Sequence, residues 1–280
     1  MKKYIAIVTF LVSSFAFSQS PWTQEKGKYY TQLSFTTLPN YTDLFGDPDY
    51  STFGEITDNT VQLYGEYGLT DRTTVLLNLP FKLISINDFQ SPLIDCSDGC
   101  PEDFNESQLG NIEVGIRHNF YNNKWILSGQ LAVELNTASY DAVSGIRTGY
   151  DAFTLTPLFL AGRSFGKTYI QSSIGAQIRT NDYSSNFKVG GEVGHKITKH
   201  IWLIGFVDVV KSFENGTVAL PIQNTFTGLY VNDQEYGAYG FKGIGEITEK
   251  FGVTASYGGA FFGNNVPKQA AINFGIFQKF

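Results

Sequence analysis

The chain has 280 residues, a formal net charge of −6 and only 16% charged residues, which leaves no basic surface for nucleic acid. Aromatic residues make up 15%, glycines number 29 and methionine occurs once, while mean hydropathy is −0.11, so apolar residues are abundant but dispersed. Dispersion of that kind comes from alternation. Past the first 18 residues there is no apolar run of the ~18 residues a transmembrane helix needs, whereas stretches of about ten, the span of a tilted transmembrane strand, recur.

In chain order, residues 1–18 carry Lys2 and Lys3, a mostly apolar run from Tyr4 to Val12, and the small-residue tail Ala16-Phe17-Ser18 before Gln19. This is the pattern of a secretory signal peptide, and the mature chain is expected to be one domain, 19–280. Period-2 segments then follow at 28–38, 58–68, 72–83, 110–120, 125–136, 150–164, 168–179, 186–197, 201–212, 235–247, 252–262 and 270–280. Connections after the even segments are tight and rich in Gly, Asn, Asp or Thr-Lys, such as Leu69-Thr70-Asp71 and Thr198 to His200. Those after the odd segments are mostly long: 39–57, 84–109, 137–149 and 213–234. Alternating short and long connections are the signature of an up-and-down outer-membrane barrel, so the predicted fold is all-β and antiparallel with about 12 strands. Both chain ends are then expected on the periplasmic side, in the outer membrane of a bacterium with two membranes.

The faces read most clearly in 110–120, 125–136 and 168–179. Ile112, Val114 and Ile116 oppose Glu113, Arg117 and Asn119; Leu127, Leu131 and Val133 oppose Ser128, Gln130 and Glu134; Ile170, Ile174 and Ile178 oppose Gln171, Gln177 and Arg179. The apolar set is assigned to lipid and the polar set to the lumen. The predicted lumen lining is therefore Glu66, Glu113, Arg117, Gln130, Glu134, Gln177, Arg179, Lys188 and Glu192. Register is ambiguous in 201–212 and 235–247; Asp208 shares parity with Trp202, Ile204 and Phe206, which leaves its face open. Tyr29, Tyr30, Tyr67, Phe120, Tyr121, Trp125, Phe165, Tyr169, Trp202 and Phe251 cluster near the short turns and are predicted to form an interfacial aromatic girdle.

At the end of the chain, Ile272, Phe274, Ile276 and Phe280 alternate, with Gln278 the polar exception. This pattern resembles the terminal signal read by the barrel-assembly machinery, a predicted partner together with outer-membrane lipid and lipopolysaccharide. The two cysteines, Cys96 and Cys100, lie four apart in a polar stretch of an exported chain and are expected to form a disulfide; a metal site is the weaker alternative because no His lies near them.

Chemistry-bearing patterns are sparse. His118, His195 and His200 fall near strand ends with no serine beside them, so the His-x-Ser signature of the outer-membrane phospholipases, which share the strand number, is missing. Mixed-sign lumen charges suit an ion-paired lining better than an acid–base pair. The loop acids Asp43, Asp47, Asp49, Asp95, Asp98, Glu102 and Asp103 do not fall at calcium-loop spacing. No enzyme activity, cofactor or metal is predicted.

The motifs Tyr67-Gly68-Leu69-Thr70-Asp71-Arg72, Leu77-Asn78-Leu79-Pro80-Phe81 and Gly110-Asn111-Ile112-Glu113-Val114-Gly115-Ile116-Arg117, with the rhythm of 169–209, resemble the bacterial barrel family named for the meta-pathway of phenol degradation. The resemblance spans about 58–280 and implies an outer-membrane barrel that passes small, often hydrophobic compounds; it transfers no site residues. The expected function is a narrow passive channel or transporter for small solutes, with the long outer loops shaping its mouth. The alternative is a closed structural or surface-interaction barrel whose loops bind a partner.

Overall fold

A computed structural model describes residues 20–90 and 103–280. The signal segment and the Cys96–Cys100 pair lie outside the described residues.

Among the described residues, fourteen strands form one antiparallel sheet that closes on itself. They are β1 (Tyr29–Phe45), β2 (Tyr50–Thr70), β3 (Thr73–Asn87), β4 (Phe104–Leu109), β5 (Glu113–Asn122), β6 (Ile126–Glu134) and β7 (Thr154–Phe165), then β8 (Thr168–Arg179), β9 (Asn186–Lys196), β10 (Ile201–Ser212), β11 (Glu235–Glu246), β12 (Phe251–Asn264), β13 (Val266–Pro267) and β14 (Ala271–Lys279). Successive strands pair, and β1 pairs with both β2 and β14, which closes the wall. Strands β4 and β5 both pair with β3 as one wall strand interrupted at Gly110-Asn111-Ile112, and β13 is a two-residue patch on the end of β1. The wall is a 12-stranded barrel, which removes every open edge and satisfies the backbone inside lipid.

Alternation sets the faces. Leu33, Phe35, Leu63, Val75, Leu77, Val114, Ile116, Leu131, Ile174, Val193, Leu203, Phe241 and Phe274 are exposed on the outside, while Ser34, Asn78, Arg117, Ser128, Gln130, Thr156 and Asn273 are buried inside. Asp208 lies on the lumen face, because Trp202, Ile204 and Val210 at the same parity are buried.

Two expectations need correction. Residues 39–57 are not a long loop: β1 runs to Phe45 and β2 starts at Tyr50. The inward face there is apolar, with Tyr41, Leu44 and Ile56 buried, but register shifts at Leu38–Tyr41 and Tyr41–Asp43, with Asn40 at φ 49°, break the period-2 pattern. The girdle also divides. Tyr29, Tyr67, Phe120, Tyr121, Trp125, Phe165 and Phe251 do face outward, but Tyr30, Tyr169 and Trp202 are 2–5% exposed and point inward. Parity, not nearness to a turn, decides the face.

The interior holds two apolar clusters, one at each end. At the short-turn end Trp22, Tyr30, Tyr169, Trp202, Ile204, Ile244 and Phe277 pack together. Gly194 permits this, since a Cβ there would lie 2.0 Å from the Tyr169 ring. At the long-loop end Tyr41, Leu44, Ile56, Ile84, Ile86 and Phe89 receive Ile146, Phe226 and Leu229 from two inward-folded loops.

Candidate functional site

The lumen is closed at the short-turn end by the segment that precedes β1. Arg117 Nη1 donates to Trp22 O at 2.8 Å, Ser128 Oγ to Pro21 O at 2.5 Å, and the Gln24 backbone N–H to Thr74 Oγ1 at 2.7 Å. Gln24 Nε2 donates to Glu66 Oε2 at 2.6 Å, and Tyr64 Oη donates to the other carboxylate oxygen at 2.6 Å. Arg117, fully buried, pairs with Glu66 at 3.3 Å and donates to Gln130 at 3.2 Å. Trp22 sits edge-on to Tyr169 at 5.7 Å. Polar groups thus pin the segment while its tryptophan fills the apolar end.

The long-loop end is closed by 137–149 and 213–234. The second loop carries a one-turn helix, α1 (Asn224–Thr227), and Thr227 Oγ1 donates to Gly145 O at 3.3 Å. Phe226 lies 5.2 Å from Phe53 and 5.5 Å from Phe89. Beyond the helix, Tyr230 packs 5.3 Å from Tyr150 and 5.6 Å from Lys82 Nζ, and Lys82 is itself paired with Asp58 at 2.8 Å. Burial pushes the Tyr230 phenol above its ordinary value, so it stays neutral at physiological pH.

Between the closures lies a cavity of about 580 Å³. One side carries charge: Glu113 and Glu134 are register partners on β5 and β6, Arg179 projects from β8, and Lys188 and Asp208 come from β9 and β10. Asn111 Nδ2 donates to Glu134 at 2.9 Å, and Arg179 donates to Ser184 O at 2.9 Å while its guanidinium lies 4.1 Å from the Tyr150 ring. The other side, from β1, β2, β3 and β14, is largely neutral, with Gln62 donating to Asn78 at 2.6 Å and Asn273 to Thr36 at 2.7 Å. Tyr64, Tyr150, Tyr230, Tyr236 and Phe206 add aromatic surface.

The nine sequence-selected lumen residues therefore occupy two levels. Glu113, Glu134, Gln177, Arg179 and Lys188 line the cavity. Glu66, Arg117, Gln130 and Glu192 sit nearer the short-turn closure, where Tyr169 Oη donates to Glu192 at 2.6 Å. Trp22, Gln24 and Tyr230 were missed, since they lie outside the periodic segments; Asp58, Lys82 and Tyr150 lie within them and could have been found by parity. The three histidines are exposed, and Thr73 and Thr168 lie 3.0 and 2.8 Å from the Nδ1 atoms of His118 and His195. Among the described residues no group of acids, histidines or cysteines forms a metal site.

The barrel resembles the COG4313 outer membrane channel from Pseudomonas putida F1 with a TM-score of 0.70 at 15% identity, covering 95% of this chain and 100% of that one. Its fold is that of the 12-stranded outer-membrane β-barrels. The KdgM porin in complex with disordered oligogalacturonate matches at 0.50 and 6% identity, over 90% of this chain and 99% of the porin. The translocator domain of the autotransporter NalP from Neisseria meningitidis matches at 0.53 and 11% identity, over 92% of this chain and 90% of the domain. Neither any protein-family model nor any curated protein matches the sequence. At these identities the likeness establishes the fold.

Proposed function

We propose that the barrel is a gated, narrow passive conduit for small solutes, hydrophobic ones among them, and that it belongs with the meta-pathway barrels its motifs resemble. The observation that carries this reading is the lumenal cavity of about 580 Å³, with an N-terminal segment folded into the barrel at one end and loops folded inward at the other. Eight-stranded barrels are filled by their own side chains and porins of 16 or more strands are open, so a wall of 12 leaves a space that accessory segments can close or free. The lining joins tyrosine and phenylalanine surface to amides and charges of both signs, which suits small amphipathic solutes better than a dedicated ion. Solute block would then fall mainly on compounds with an apolar body and one polar end.

The test is single-channel conductance of refolded protein in planar bilayers, comparing the native sequence with Trp22→Ala and Gln24→Ala. Discrete conductance that rises in the two variants, and that amphipathic solutes block, is expected. Persistent silence in all three correctly folded proteins refutes the conduit and favours the second reading, a closed surface-interaction barrel, which draws support from the closure at both ends. We further infer that the row Ile272, Phe274 and Ile276 on β14, with Phe280 just past its end, is what the assembly machinery reads.

A further inference from the structure

We propose that residues 219–231 form a lid over the outer mouth and that Tyr230 is its gating residue, the side chain that must leave before a solute can enter the cavity. This rests on the conduit reading. The segment is bracketed by two tethers. On one side the Phe213 N–H donates to Ser185 O at 2.9 Å, and those of Thr217 and Val218 donate to Asp182 O at 2.8 and 3.0 Å. On the other, Asn232 Oδ1 accepts from the Ser184 N–H at 2.8 Å, Asp233 accepts from Ser184 and Ser212, and Asn264 Nδ2 donates to Asp233 O at 3.0 Å. Hydrogen-bonded ends around a middle seated mainly by apolar contacts are the layout of a hinged flap.

The middle is held differently. Its contacts with the barrel are largely apolar: Phe226 and Leu229 enter a socket of Leu44, Ile56, Ile84 and Ile86, each at most 1% exposed. The socket is apolar, so it seats the middle of the segment mainly by buried area and not by directional bonds, which suits withdrawal as a unit. Gly228 fits against Leu44 so closely that a Cβ would lie 2.7 Å from Leu44 Cδ1, and its φ of 65° ends the helix. Tyr230 follows at φ 52°, a left-handed backbone that a bulky side chain rarely adopts. Strain of that kind persists where surrounding contacts impose it, and here those contacts are Lys82 and the Tyr150 ring. Tyr230 is the part of the lid that lines the cavity, so it sits where a solute arriving from outside meets the pathway.

The experiment reads the lid alone, since conductance also depends on the N-terminal closure. In a background with Cys96→Ser and Cys100→Ser, Ala238→Cys places a thiol in the cavity wall. Its rate of modification by a small membrane-impermeant thiol reagent added from the outer face is measured on intact cells. Phe226→Asp, which puts a charge in the socket, and Tyr230→Ala are each expected to raise the rate about tenfold or more, because a flap open 1–10% of the time becomes mostly open. Tyr230→Phe, which keeps the ring, stays within about threefold of the parent on the same scale. Equal rates in all variants overturn the lid. Faster labelling with no conductance, even when Trp22→Ala is added, leaves the lid standing and removes the conduit; conductance with unchanged labelling does the reverse.

Discussion

Arg117→Met attacks the buried pair that anchors the N-terminal closure. The guanidinium is fully buried, with Glu66 7% exposed beside it, and its loss leaves the carboxylate with Gln24 and Tyr64 as donors but without that counter-charge. Breaking a buried pair from one side costs about 3–5 kcal/mol, because the remaining charge stays desolvated. The segment also loses the donor to Trp22 O. Adding Glu66→Gln removes the stranded charge, and replacement of a whole buried pair by neutral groups is often close to neutral, so the double variant should recover most of the loss. Urea unfolding in detergent, followed by tryptophan fluorescence, gives the four stabilities of the cycle. A single-variant cost below about 1 kcal/mol, or no recovery in the double, refutes the assignment of Glu66 as a charge held by Arg117.

Three further outcomes follow from named positions. Leu131→Arg, on the lipid face near the middle of β6, should cost about 2–4 kcal/mol, whereas Gln177→Arg on the lumen face should leave stability nearly unchanged and alter solute block; equal costs would reverse the face assignment. Gly194→Ala should cost about 1–3 kcal/mol by driving a methyl into the Tyr169 ring, and Gly65→Ala, with open space around its Cβ, serves as the neutral comparison in the same unfolding assay. Burial raises the Asp141 carboxyl, but the Ser144 and Val143 N–H groups and the Ser144 hydroxyl outweigh it and hold its value below the ordinary one. A depressed folded-state value means that the turn's stabilisation is present above the ordinary aspartate value of about 3.9 and is lost as pH falls through the native one. Amide exchange at Val143 and Ser144, corrected for intrinsic rates, should therefore accelerate on acidification in the native sequence and stay flat in Asp141→Asn.

The wall was legible because one physical rule wrote it: every residue between Ile112 and Asn119 must satisfy either lipid or lumen, and alternation records which. Asp208 shows the limit of that rule. Its parity partners Trp202, Ile204 and Phe206 are apolar yet inward, because they serve the short-turn cluster or lie along the inner wall over neighbouring strands, where a Cβ at Gly240 or Gly258 would lie 2.5 or 2.9 Å from the Phe206 ring. A lumen that is apolar in one stretch and polar in the next cannot be sorted by polarity alone. Tyr30, Tyr169 and Trp202 were read as interfacial for the same reason. The closures were less legible still. Trp22, Gln24, Phe226 and Tyr230 lie in segments without a period, and their placement is fixed by Arg117, Glu66, Ile56 and Lys82, which are distant in sequence.

The chemistry of the two closures differs, and that difference bears on how the cavity exchanges its contents. The N-terminal closure combines a tryptophan with charge-assisted bonds to Arg117 and Glu66, which are directional and are made or lost with small displacements. The outer closure rests on Phe226 and Leu229 in an aliphatic socket, a seat whose stabilisation scales with area buried and tolerates sliding. An apolar solute can compete for the second kind of seat by offering its own surface to the vacated socket, but it cannot replace the hydrogen bonds of the first. On the proposed conduit reading, entry from outside would need only a solute that the socket prefers to water, while exit at the short-turn end would need Arg117 and Glu66 to exchange the segment for each other, for water or for a polar group on the solute. The cavity's tyrosine rings and charges of both signs fit the proposed amphipathic cargo, with an apolar body for the outer seat and a polar end for the inner latch.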